Sequence, residues 1–243
     1  MAGHSRWNNI RRSKGLVDSK RAKIFTKLAR EIIVAVKDGG SSDPLNNSRL
    51  AAAIAKAKAA NMPNDNIKRT IEKAAGTGGG NDFESVTYEG YGPCGVAVIV
   101  EAMTDNRNRT AAEVRLYFDK YGGNMGTTGC VSWSFDKKGI IIIDNAEGEY
   151  DEDTVLLHAL DANAQDVETD EDVFIVYTTP EDFTSVNDSL IQAGFPLLSA
   201  QVEMLPQNYV KLTEPADIKN MEKMLDLMEN DDDIQNVYHN YEM

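Results

Sequence analysis

Arg6, Arg11, Arg12, Lys14 and Lys20 crowd the first twenty residues against a single acid, Asp18, and Lys23, Lys27 and Arg30 carry the run onward. Clustered cations of this kind neutralise phosphate, which is the main source of affinity for a nucleic-acid backbone. Trp7 lies among Arg6, Arg11 and Arg12, where its ring could stack on a base. The alternative is a fraying terminus followed by a solvated helix face. A second candidate is the segment Asp105–Thr110. Arg107 and Arg109 would fall in the first turn of a helix, where the macrodipole disfavours cations. A sequence with this arrangement could be using two guanidinium groups and helix N–H groups to hold an anion such as phosphate. The alternative there is an Arg109–Glu113 pair at i,i+4, with Arg107 bonded to a neighbouring domain.

Catalytic arrangements are not legible. His4, His158 and His239 fall in three separate parts of the chain, and neither Cys94 nor Cys130 has a CxxC partner or a nearby histidine. No Gly-x-Ser-x-Gly elbow occurs. Gly76–Gly80 is not a P-loop, because no Gly-Lys-Ser/Thr follows it. The expectation is no catalytic residue, no metal and no cofactor.

Charge supports the first candidate. Residues 1–76 hold sixteen Lys/Arg against six Asp/Glu, a balance of +10, whereas residues 77–243 hold nine against thirty-three, a balance of -24. A split of this kind marks one end for a polyanion. From Gly139 to Val210 there is no Lys or Arg and there are sixteen Asp/Glu. Such a stretch repels phosphate; it would meet a basic protein or keep the chain soluble. Apolar residues at 42% and charged residues at 26% describe a globular chain rather than a disordered one. No apolar run approaches the length of a membrane span, no secretory signal follows the first residues, and two cysteines build no disulfide framework. A cytoplasmic protein with no membrane partner is expected.

These residues need elements to hold them. From Lys20 to Val36, Ile24, Phe25, Leu28, Ile32 and Val36 recur at three and four residues, which predicts a helix with one apolar face. Lys20, Lys23, Lys27 and Arg30 fall on a separate stripe of it. An Ala-rich helix over Ser48–Asn61 follows, and Pro63 opens a third, so residues 1–76 read as a basic arm plus a three-helix domain. Past the Gly76–Gly80 break come strands at Ser85–Gly90 and Gly95–Met103, a helix capped by Asp105, and a strand at Cys130–Phe135. Residues 139–207 then alternate as βαββαβ, the ferredoxin-like order. The remaining helix, Glu214–Met228, and strand, Ile234–Tyr241, cannot bury themselves and must return to the earlier sheet. The expected fold class is α+β: a helical domain at 1–76, a discontinuous domain of 81–136 with 208–243, and an acidic ferredoxin-like domain at 137–207 inserted in it.

Four motifs in order, Met1–Ile10, Asn61–Ile67, Tyr88–Pro93 and Thr104–Thr110, together with Gly122-Gly123-Asn124, Gly126 and Gly129, resemble the YebC/PmpR family. The resemblance implies three domains, no established enzymatic activity and no cofactor. It also implies a DNA-binding transcriptional regulator. Mitochondrial relatives are translational activators and bacterial members are linked to relief of ribosome stalling, so a factor binding ribosomal RNA or the ribosome is the alternative. A protein-interaction adaptor, working through the acidic insertion on a basic protein, is a further one. The resemblance supplies no list of functional residues. The nucleic-acid candidates remain Arg6, Trp7, Arg11, Arg12, Lys14, Lys20, Lys23, Lys27 and Arg30, and the anion candidates Arg107 and Arg109.

Overall fold

The computed structural model describes residues 21–76, 83–170 and 172–242, which form seven helices and ten strands in a mixed α+β architecture. They divide into two compact units, one holding residues up to Ser132 with Leu212–His239, the other holding Trp133–Lys211 with the residues from Asn240 onward.

In the first unit, α1 (Arg21–Asp38), α2 (Ser48–Ala59) and α3 (Asn64–Ala75) make a bundle. Its core is Ile32, Ala35, Val36, Leu50, Ala53, Ala57, Met62 and Ile67, the positions left apolar by the helical period. Asn47 caps α2 by accepting from the Leu50 N–H at 3.0 Å, and its amide donates to the Ala35 and Ser41 carbonyls at 2.8 Å. One buried side chain therefore fixes both the end of α1 and the start of α2. The bundle and the sheet that follows it lie in one compact unit.

That sheet is built from β1 (Glu84–Tyr91), β2 (Ala97–Thr104) and β3 (Asn124–Met125), with α4 (Arg107–Lys120) packed on it through Val114 and Phe118. The late elements α7 (Pro215–Asn230) and β9 (Ile234–His239) return to it. The strand order is β3-β1-β2-β9, antiparallel throughout, with Val98 opposite His239 and Val100 opposite Val237. Backbones approach closely at the glycine pair Gly90 and Gly123. A Cβ on Gly123 would lie 2.5 Å from the Tyr91 carbonyl oxygen, and one on Gly90 would lie 2.6 Å from that of Asn124.

The second unit holds β4 (Phe135–Asp144), α5 (Glu152–Asp161), β5 (Asp166–Asp170), β6 (Val173–Thr178), α6 (Phe183–Gln192) and β7 (Leu197–Pro206). The order β5-β6-β4-β7 is that of a ferredoxin-like sheet. Ile141, Ile143, Phe174 and Val176 face the helices through Val155, Ala159, Val186 and Leu190, while Ile140, Ile142 and Ile175 make a second cluster on the other face. Phe135 pairs with Pro206, so the chain comes into and leaves this sheet on adjacent strands. A short parallel pair, β8 (Val210–Lys211) and β10 (Tyr241–Glu242), completes the unit.

Two expected strands differ. Cys130–Phe135 is not a strand: Ser132–Ser134 makes one 3₁₀ turn, and β4 begins at Phe135. The reason is the carboxylate of Glu89, which takes the Val131 and Ser132 N–H groups at 2.9 and 2.8 Å and removes them from any ladder. The last strand, expected to run unbroken to Tyr241, stops at His239 before the short β10.

Candidate nucleic-acid interface

Arg6, Trp7, Arg11, Arg12, Lys14 and Lys20 lie outside the described residues. Lys23, Lys27 and Arg30 are described, and their stripe of α1 is not a free surface. Lys23 Nζ donates to the Asn230 carbonyl at 2.9 Å, and Lys27 Nζ donates to that of Glu229 at 3.0 Å. These are the terminal carbonyls of α7, the negative end of its dipole, and α7 has no basic residue in its own last turn. Acids follow instead, at Asp231, Asp232 and Asp233. The first helix thus supplies, across the fold, the cations that the late helix lacks.

Arg30 goes further. It bonds the Asp232 carbonyl, reaches Asp233 Oδ1 at 2.6 Å and lies over the Phe83 ring at 5.0 Å. Asp233 is 4% exposed, and its second oxygen accepts from Arg109 at 2.7 Å, from Thr110 Oγ1 at 2.7 Å and from Thr104 Oγ1 at 3.1 Å. Burial alone would raise the Asp233 pKa, but the bonds from Arg109 and Thr110 and the charge of Arg30 outweigh it and hold the carboxyl below its usual range. Arg109 also pairs with Asp105 at 2.9 Å.

The anion that Arg109 holds is therefore the chain's own Asp233, and an external phosphate would have to displace it. The i,i+4 alternative also changes partner, from Glu113 to Asp105. Arg107 does not join Arg109 on one anion. It extends, 65% exposed, towards Glu84 at 3.8 Å. Arg109 in the first turn of α4 is thus explained by a clamp joining α1, the β2–α4 junction and the α7–β9 junction.

The Tyr88–Pro93 motif and the glycine-rich stretch after α4 make a second junction. Glu89, 3% exposed, accepts from the Gly129 N–H at 2.7 Å in addition to those of Val131 and Ser132. Burial works to raise its pKa, yet these three backbone donors hold it below the ordinary carboxylate value. Gly129 has φ 89°, a left-handed backbone that favours glycine.

Four cations that the sequence reading did not single out stay exposed: Lys58 near the end of α2, and Lys68, Arg69 and Lys73 on α3. The sequence signal for them is the helical spacing of Ile67 and Ile71, which leaves Lys68, Arg69 and Lys73 off the apolar face. Both thiols are shifted away from the thiolate form. The hydrogen bond to Asp217 and exposure to its charge raise the Cys94 pKa, and burial followed by the charge of Glu89 raises that of Cys130. Among the described residues no helix is long and apolar enough to cross a membrane.

Residues 5–77 match the family domain described as the TACO1/YebC protein N-terminal domain, and residues 83–241 match the TACO1/YebC second and third domain. A protein of Desulforamulus reducens named a probable transcriptional regulatory protein is 54% identical over 100% of this chain and 99% of its own length. One of Acetivibrio thermocellus with the same name is 54% identical over 99% of each chain. The crystal structure of a conserved hypothetical protein from Aquifex aeolicus superposes with a TM-score of 0.81 at 46% identity, covering 93% of this chain and 92% of the other.

Proposed function

Because the chain belongs to the TACO1/YebC family, we propose that it regulates gene expression by binding nucleic acid through its basic N-terminal region, acting on DNA as a transcriptional regulator and without catalysis. The observation that carries this reading is the partition of charge, +10 over residues 1–76 against -24 over the rest. A polyanion is attracted to one end and repelled by the other, which confines it to the helical bundle and the arm of Arg6, Trp7, Arg11, Arg12, Lys14 and Lys20. The names given to the relatives from Desulforamulus and Acetivibrio support a role in transcription. The same regulatory naming of the relatives supports a role without catalysis.

The test is chromatin immunoprecipitation beside ribosome co-sedimentation of the full chain. Discrete genomic sites, with sequence-discriminating DNA binding at moderate salt, are the expected result. Co-sedimentation with ribosomes that is lost on removing residues 1–20, without discrete genomic sites, would move the target to ribosomal RNA. Binding to neither, with capture of a basic protein by the acidic ferredoxin-like unit, would replace the reading with an adaptor.

A further inference from the structure

We propose that the outward face of α3, together with Lys58 near the end of α2, is the surface that contacts the sugar-phosphate backbone of a nucleic acid. This rests on the nucleic-acid reading above and assigns it to four side chains. Ile67 is buried and Ile71 and Ala74 are half-buried, which defines the inward side of α3. At about 100° per residue, Arg69 and Lys73 fall opposite Ile67, one turn apart, and Lys68 lies on the flank. All four cations are exposed.

Asp65 stands four residues before Arg69, and Glu72 four residues after Lys68, the spacing at which ion pairs form on a helix. Among the described residues neither pair closes to 4.0 Å, and the four cations have no hydrogen-bond or ion-pair partner. The α1 cations stand in contrast, because Lys23, Lys27 and Arg30 are bonded to the end of α7 and to Asp233. Arg69 and Lys73 at i,i+4 repel each other, a cost to the isolated helix that no ion pair among the described residues offsets. A ligand whose phosphates sit between them would offset it. Exposed side chains on long stems deliver charge without fixed direction, so the contacts position a backbone rather than read bases.

The experiment compares the full chain with the variant Lys58→Gln, Lys68→Gln, Arg69→Gln, Lys73→Gln, titrated by fluorescence anisotropy against duplex DNA and against a ribosomal RNA hairpin across a salt series. Each phosphate contact adds about 0.9 to the log–log salt slope on duplex DNA, so the variant should lose about three to four, and at ~150 mM salt at least ~100-fold in affinity. The loss should be equal on unrelated sequences. A fall on DNA names the target as DNA, and a fall confined to the hairpin names it as RNA. The double variant Arg69→Gln, Lys73→Gln should lose about half as much slope, which keeps the test decisive if the fourfold variant folds poorly. The pair Lys23→Gln, Lys27→Gln should leave the slope unchanged. Wild-type binding with an unaltered slope in both α3 variants would overturn this surface and leave the N-terminal arm. A wild type that binds neither probe would overturn the nucleic-acid reading itself.

Discussion

Asp233 accepts from two guanidinium groups and two hydroxyls while almost wholly buried. Asn in its place keeps the shape but not the charge, and it turns an NH2 towards one of the guanidinium groups. Breaking a buried pair by removing one partner costs about 3–5 kcal/mol; because Arg109 is 43% exposed and can be rehydrated, the lower end applies. Asp233→Asn should therefore lose about 3 kcal/mol in urea denaturation, and a loss below about 1 would mean that the pair is already well solvated. The carboxyls of Asp233 and Glu89 both have pKa values depressed by folding. Their stabilisation is complete above the unfolded value of about 4, and it is lost as the pH falls through the lower folded values. Stability should thus decline below about pH 4, and Asp233→Asn or Glu89→Gln should each flatten that decline. Glu89→Gln should also speed hydrogen exchange at the amides of Gly129, Val131 and Ser132, which donate to the carboxylate now. Unchanged exchange there would show that the loop is held by other means.

Between α1 and α7 the binding force is two ammonium groups on the exposed end of a helix dipole. Lys23→Gln with Lys27→Gln should cost about 1 kcal/mol in all, and added salt should shrink the difference. A stripe in free solvent would show no such loss, so thermal melts at two salt concentrations separate the two. The apolar face of α1 was legible because Phe25, Leu28, Ile32 and Val36 follow the helical period by local sterics alone. The ferredoxin-like order was legible from equally local signals, since Ile140–Ile143 and Val173–Tyr177 are unbroken apolar runs of strand length. What escaped the sequence are partners remote along the chain: Arg30 and Asp233 are 203 residues apart, and no periodicity links them. The strand expected at Cys130–Phe135 failed in the same way, because the competitor for its N–H groups, Glu89, lies about forty residues earlier. In the interface, the α1 stripe was found by charge and spacing, but those signals carry no information on whether a cation is already occupied. The exposed cations of α3 became distinguishable only once the neighbours of each were known.

The ferredoxin-like unit begins and ends on paired strands, with Phe135 opposite Pro206. Excising residues 136–205 and joining the ends with Asn-Gly should leave the sheet β3-β1-β2-β9 intact, with a cooperative urea transition of smaller m-value. Loss of any cooperative transition would show that the first unit depends on the second. The same strand order has a consequence in time. Thr104 and Asp233, bonded in the folded protein, are 129 residues apart, and at ~5–20 residues per second a ribosome needs on the order of ten seconds to make that stretch. During that interval β2 has only β1 beside it, and Arg30, Arg109 and Thr110 exist without the carboxylate that joins them. The ferredoxin-like sheet, complete within its own stretch of chain, can close first. Arg30, made first of the groups at this junction, therefore waits longest for the carboxylate that completes it.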